Sequence, residues 1–518
     1  MKKKNLLYIA IGLALISTGC DDFLDVMPDN RTELNSERTI TTLLVSAYPA
    51  NTDAMLLEIS SDNAMDNGSR FPTGSREYEQ AYLWQVITGN DNDSPYSFWE
   101  GCYKAIAAAN LALEAIDKMG NPDNLQAQRG EALMCRAYGH FVLANMFCLS
   151  YDPSKAATDM GIPYIDAPIT TLNPDYDRGN MKELYEKISA DIEAGLPLID
   201  DNMYTVPKYH FNQAAAYAFA ARFNLYYHKY DKVIDYASVV LGNDPDRMMR
   251  NWAAMNSAAA NYTVRTDMYI SDKEPANLLL LPVTSILGYI IGPYKGIGER
   301  YGHSDDIFSK ETAGAAGIWG TSSSLLYAAR AVWGFTEKNA IAKVGGYFQY
   351  TDKVNRIGYA KNVIVSFSAD ETLLCRAEAY ALRNEAGDMD KATADINTWV
   401  KSHTTNKLVS TTSSIASFYN GLAYSVGTTE RTQKKRLHPR GFTVMAGEQE
   451  DIIHCILHLR RIETIYEGLR WHDIKRYGIE IAHNREGFSV DSLKVNDPRR
   501  AFQLPQDVIS AGLTANPR

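Results

Sequence analysis

Long apolar runs are scarce in this 518-residue sequence. Beyond the first twenty residues, no segment holds the eighteen or more apolar residues that a transmembrane helix needs, so no spanning helix is expected. Positive charge is also in deficit. Lysine and arginine number 52 against 62 acidic residues, a formal charge of −10. Such a chain is poorly suited to phosphate-backbone binding, and an anionic lipid surface repels it unless it is tethered. The cysteines Cys102, Cys135, Cys148, Cys375 and Cys455 sit in apolar helical patterns without the paired spacings of a zinc or thiol–disulfide motif. Buried free thiols are expected, although export leaves a disulfide open. No Gly-x-Ser-x-Gly, phosphate-cradling loop or dinucleotide fingerprint occurs. His454 and His458 lie one helical turn apart without the glutamate of a His-Glu-x-x-His site, and read as a partly solvated pair. Asp91 and Asp93 open like a calcium loop that lacks its glycine and distal glutamate. No cofactor or metal is expected.

What is present begins at the N-terminus. Lys2, Lys3 and Lys4 precede an apolar run from Leu6 to Ile16, and small residues lead through Gly19 to Cys20. This is the layout of a secretory signal over residues 1–19, with Cys20 as the lipidated first residue of the mature chain. Ser17 stands where a leucine is usual. The alternative is an ordinary secreted protein in which Cys20 is incidental. Loss of the three lysines makes the mature chain three units more acidic than the whole.

Most of the sequence has helical periodicity. Phe98, Cys102, Ile106, Ala109, Leu113 and Ile116 share one face, and Gly120, Asn121 and Pro122 end that helix. A second helix follows from Leu125 to Leu149, and the short connection forces an antiparallel hairpin. The design returns twice. Asn212 to His228, rich in alanine beside Tyr217, Phe219 and Phe223, leads into Asp231 to Leu241. Glu371 to Arg383 is followed by Gly387 as a stop and Asp388 as an N-cap for a helix through Val400. The lengths resemble tetratricopeptide units of about 34 residues. The copies are not in tandem. A mostly α fold is therefore expected, with helix hairpins in one large domain spanning 20–518. Its scaffold runs roughly over 95–241, 366–401 and 448–478, with loop-rich insertions over 242–359 and 402–447. Long, aromatic-bearing loops of that kind are commonly functional.

Six blocks in order are similar to the SusD/RagB family of nutrient-binding outer-membrane lipoproteins. They are CDDFLDVMPDN, SFWEGCYKAIAAANLALEAID, RGEALMCRAYGHFVLANMF with GIPYIDAP, ADETLLCRAEAYAL, LRRIETIYEGLRWHDIKRYG, and the closing FQLPQDVISAGLTANPR. The last lacks the usual terminal tyrosine. The resemblance implies a tetratricopeptide-like scaffold with a loop-built ligand face. It implies no catalysis, and a surface lipoprotein that hands oligosaccharide, or in some members peptide, to a TonB-dependent β-barrel transporter. Asp21 and Asp22 resemble the family's signal for export to the outer face.

Sugar recognition needs aromatic faces with amide, carboxylate and guanidinium groups around them. Two regions offer both. Asp62, Asn63, Arg70, Tyr78, Tyr82, Trp84 and Asn90 precede the first hairpin, and glycan-binding relatives resemble the order Asp62, Arg70, Trp84, Asn90. Tyr294, Tyr301, His303, Asp305, Trp319 and Trp333 lie in the glycine-rich insertion. Trp319, in AGAAGIWGTSSS, has little helical packing and is the foremost candidate; Trp84 and Trp333 read equally as core. Trp99, Trp399 and Trp471 sit on apolar helical spacings and are expected inside. Arg460, Arg461, Glu463, Glu467, Arg470 and Asp473 read as helix-surface ion pairs or loop ties. A helical glycoside hydrolase and a scaffold that binds only proteins stay open as other classes.

Overall fold

The computed structural model describes residues 34–169, 176–258, 261–291, 300–327, 333–335 and 338–518. Cys20, Asp21 and Asp22, with the signal segment, and Tyr294 lie outside them.

The first hairpin forms where the periodicity places it. Helix α1, Pro95–Lys118, starts with Ser94 accepting from the Ser97 amide and with proline in the first turn. It ends at Gly120 and Asn121, both with positive φ. Helix α2, Gln126–Phe147, folds back on it, and α3, Met181–Gly195, packs on α2. Arg136 on α2 clamps Asp191 on α3 through Nε and Nη2, both at 2.7 Å. The second hairpin is α4, Gln213–Tyr226, and α5, Tyr230–Leu241. The third is α6, Ala369–Arg383, and α7, Asp388–His403, with α6 also packed on α5. Ala215, Ala216, Ala218, Ala220 and Ala221 on α4 and the alanines of α6 are buried, and their small side chains admit this close approach. Gly387, in a left-handed conformation, caps α7, while Asp388 is its first helical residue and binds Arg383.

Helices α8, Glu448–Glu463, and α9, Leu469–Arg476, run through the centre. Arg460, Arg461, Glu463, Arg470 and Asp473 are buried, which corrects the expectation of helix-surface pairs, while Arg461 and Arg470 do tie down the segment at Asp62 and Asn63. Arg460 donates to Asp473 at 3.0 Å and to Glu371 at 3.1 Å, and Arg222 reaches the same Glu371 at 3.1 Å. Arg476 binds Glu378. These pairs tie α4, α6, α8 and α9 together. A buried ion pair adds little net stability over apolar packing, but removing one partner strands the other.

The insertion at 242–359 is not loop alone. Strand β1, Asn277–Thr284, pairs antiparallel with β3, Ile357–Ser368, which pairs with β2, Tyr347–Asp352, in the order β1–β3–β2. Asn212, the α4 cap, donates through Nδ2 to the Leu278 carbonyl at 2.8 Å, fixing β1 against the second hairpin. The chain end is pinned as well. Asn516 donates to the Phe147 and Phe502 carbonyls and accepts from Arg178 at 2.7 Å. The five cysteines of the described residues are buried free thiols. Among the described residues, no helix is long and apolar enough to cross a membrane.

Candidate ligand-binding cleft

The residue before the α1 cap sets one wall. Asp93 is buried and accepts from Ser285 Oγ at 2.5 Å and the Ile286 amide at 2.9 Å, locking the end of β1 to the start of α1. Burial pushes its carboxyl up to about 6. Asn51 donates through Nδ2 to the Asn92 carbonyl at 3.0 Å. Its side chain lies against α1 at Gly101, where a Cβ would stand 2.6 Å from Asn51 Oδ1. Glycine is what admits it.

The β2–β3 hairpin sets the opposite wall. Its register pairs Gln349 with Tyr359 and Tyr347 with Lys361. Alternation puts Tyr347, Gln349 and Thr351 on one face beside Tyr359 and Lys361, and Phe348 and Tyr350 on the other. Gly358 permits the close pairing, since a Cβ there would lie 2.1 Å from the Gln349 carbonyl. Lys361 donates to Thr284 Oγ1 at 2.7 Å, and burial lowers its pKa.

Between these walls lies an open cleft of about 1030 Å³. Tyr96, Tyr209 and Tyr359 supply rings, Asn51, Asn92 and Gln349 amides, and Glu100, Lys104 and Lys361 charges. Tyr359 is 55% exposed, so its ring is available for stacking. Rings with interleaved amides suit an uncharged polyhydroxylated ligand. Among the described lining residues Glu100 is the one carboxylate, 3.6 Å from Lys104, whereas glycoside hydrolysis needs two.

The residues singled out from sequence lie elsewhere. Tyr301, Tyr82, His483 and Trp84 form one stacked column with centroid separations of 4.3, 4.1 and 4.3 Å. Arg499 closes it 5.5 Å above Trp84. Trp84 takes φ of +51° and donates through Nε1 to the Ser60 carbonyl at 2.9 Å. Tyr301 and Trp84 are thus brought together, but as buried structure and not as a platform.

Trp319 is corrected likewise. It is 0% exposed, 5.5 Å from His458 and 6.1 Å from Trp399. The glycines around it do not push it outward. The amides of Gly317 and Gly320 pair with each other's carbonyls, and the indole folds back over Gly317. Asp62 is buried under both arms of Arg470 at 2.8 and 2.9 Å, and Arg461 and Arg470 hold its carboxyl well below the usual range against burial's upward push. Asn63 accepts from Arg461, and His303 lies between the Asn63 carbonyl and Thr312. Tyr78 is buried, while Asp305 is exposed in the first turn of a short helix. Arg70 and Asn90 are exposed, Arg70 beside Phe71, and neither lines the cleft. Trp333 opens a short ladder with Lys338–Ala340.

The cleft residues were missed because they come from five separated segments. One signal was present: YFQYTDKVNRIGYAKNV alternates with period two about a polar turn, the pattern of a hairpin.

Two other groupings bear on metals. His454 and His458 are both buried, not partly solvated, and burial lowers each to about 3. His458 pairs with the Tyr419 hydroxyl at 2.9 Å. Asp370, His403 and Glu463 bring ligand atoms within 4.8 Å of one another. The Trp252 indole N–H, however, lies 2.7 Å from His403 Nε2, the nitrogen that a metal would need, and Glu463 already accepts from Trp399 at 2.9 Å. The trio joins α6, α7 and α8 as structure.

The family model described as starch-binding and associating with the outer membrane, SusD-like, matches residues 22–225. The SusD-like protein P2 of Formosa agariphila is 22% identical over 98% of this chain and 96% of its own length. A SusD superfamily protein from Bacteroides fragilis shares the fold with a TM-score of 0.63 at 18% identity, covering 92% of this chain and 96% of that one. A SusD-like carbohydrate binding protein from Bacteroides vulgatus does so at 0.55 and 16%, over 90% and 93%. The family match at the N-terminal side, the full-length relative and the shared mostly α architecture agree in one likeness: the chain resembles the SusD-like proteins.

Proposed function

We propose that this protein binds an oligosaccharide, without catalysis, and passes it to a SusC-like TonB-dependent outer-membrane transporter. In this reading it is tethered to the outer face of the outer membrane through a lipid on Cys20. The observation that carries the binding half is the open cleft, where Tyr96, Tyr209 and Tyr359 stand among Asn51, Asn92 and Gln349. The family description, starch-binding and associated with the outer membrane, supports the same reading. One carboxylate among the described lining residues favours capture over hydrolysis.

Calorimetry against neutral oligosaccharides and peptides tests it, with product analysis of the same mixtures. Saturable binding of an oligosaccharide that is recovered intact is the expected result. Binding of peptides alone, or turnover of the glycan, contradicts it. Co-purification with a TonB-dependent β-barrel from the native outer membrane tests the delivery step.

A further inference from the structure

A second, smaller hollow of about 140 Å³ lies among the 425–436 segment, the ladder of Ile481–His483 with Asp491–Leu493, and Asp62. It shares no lining residue with the tyrosine cleft. Arg431, Lys435, Arg436 and Lys494 line it against two carboxylates, Asp62 and Glu480, on a chain that is acidic as a whole.

The charges behind it do not balance. Glu311 faces Arg431 at 2.9 Å, Lys435 at 2.8 Å and Arg461 at 2.6 Å. Asp62 takes both arms of Arg470 and lies 3.4 Å from Arg461. Four cations therefore share two carboxylates in this hydrogen-bonded network. Asp306 stands at its edge, 3.3 Å from Arg431, but it also pairs with Lys310. Lys435, Arg461 and Arg470 are more than nine-tenths buried. Burial holds the Lys435 ammonium below the ordinary lysine range despite Glu311 beside it. At the mouth Arg436 is exposed, its guanidinium 4.6 Å from the Tyr424 ring, and Lys494 faces Glu480 at 3.5 Å.

Cations in excess inside a protein are poorly stabilised unless an anion meets them. Guanidinium and ammonium donors grouped at one opening suit a compact group with two or more oxygens. We propose that this hollow binds a compact oxyanion, a sulfate or a carboxylate. The group enters beside Arg431 and Lys435, and whatever carries it stays at the rim near Arg436 and Lys494. The carrier is either a free inorganic ion or an acidic sugar. The proposal does not rest on the cleft binding sugars.

Thermal unfolding of the full chain tests it, with sulfate replacing chloride at constant ionic strength, beside glucose 6-sulfate, glucuronate and glucose. A ligand of the folded state raises the midpoint with its occupancy. Saturable upward shifts are expected with sulfate and the acidic sugars and none with glucose. Arg436→Gln and Lys494→Gln, at the rim, should each weaken the apparent affinity by roughly fivefold or more, as loss of a charge-assisted contact does, with the ligand-free midpoint unchanged. Selenate soaked into crystals should give an anomalous peak against Arg431 and Arg436. A response to acidic sugars above that to sulfate identifies a glycan substituent, and an equal response identifies the free ion. Equal shifts in wild type and both variants, or no selenate peak in the hollow, overturn the proposal. Neutral oligosaccharide binding that survives such a result leaves the cleft reading standing.

Discussion

The imidazole of His483 lies flat on the phenol of Tyr82, with centroids 4.1 Å apart and planes 3° from parallel. Its nitrogens reach the Tyr82 carbonyl at 2.6 Å and the Ser61 carbonyl at 3.0 Å. This contact joins the C-terminal ladder to the segment before the first hairpin. It also explains why the aromatics of that segment are not free for a ligand. Tyr82 is covered on one face by His483 and on the other by Tyr301, and Trp84 covers the far face of His483.

Trp319→Ala tests the burial of the foremost sequence candidate. Truncating an enclosed tryptophan costs about 3–5 kcal/mol through lost transfer energy and a residual cavity. Urea unfolding should show that loss, while the surviving folded protein keeps its oligosaccharide affinity. A variant of unchanged stability and weakened affinity would return Trp319 to the ligand site.

Acid should destabilise the fold before carboxylates of ordinary pKa protonate. Burial holds His140, His303, His454 and His458 near 3 and His228 and His483 near 4, with His472 also well down. Unfolded histidines take up protons near about 6.5, so these seven favour unfolding as the pH falls from there towards about 4. Seven raised acids oppose them, Asp91, Asp395 and Asp451 by less than the other four. Burial raises Asp53, Glu58 and Asp370 to about 7 and Asp93 to about 6. Their stabilisation is full below about 4 and is lost as the pH rises through those values. The histidines prevail by displacement and not by number, since all seven are driven far down whereas Asp91, Asp395 and Asp451 move less. The urea midpoint should therefore be lower at about pH 4.5 than at about pH 6.5, and an equal or higher midpoint contradicts this account.

Arg460→Met removes the cation shared by Glu371 and Asp473. Breaking one partner of a buried pair costs about 3–5 kcal/mol, because it leaves charge behind. Glu371 keeps Arg222 as a partner, so Glu371→Gln should cost less in the Arg460→Met background than it does alone, without restoring the wild-type stability. A double variant less stable than the sum of its singles would contradict the network.

Local signals recovered the scaffold. The 3.6-residue spacing and the Gly120-Asn121-Pro122 stop placed α1 within a few residues of Pro95–Lys118, and the alanine-rich segments gave the other hairpins. Distant partners stayed hidden. The charges of α8 and α9 read as surface pairs or loop ties with no partners named, because spacing shows only neighbours, whereas Arg460 meets Glu371 across 89 positions and Arg470 meets Asp62 across 408. The glycines beside Trp319 suggested exposure, since nothing near them announces Trp399 or His458. The cleft was illegible for the same reason. Asn51, Tyr96, Tyr209, Thr284 and Tyr359 meet only once the hairpins and the sheet have folded.

The central claim is that the tyrosine cleft captures the glycan. Its most direct test is calorimetry of Tyr96→Ala/Tyr359→Ala against an oligosaccharide that binds the wild type. Loss of two stacking rings should weaken binding by about 1–3 kcal/mol, roughly fivefold to more than a hundredfold, with the melting temperature unchanged. Unaltered affinity in a fully folded double variant would place the site elsewhere and contradict the account.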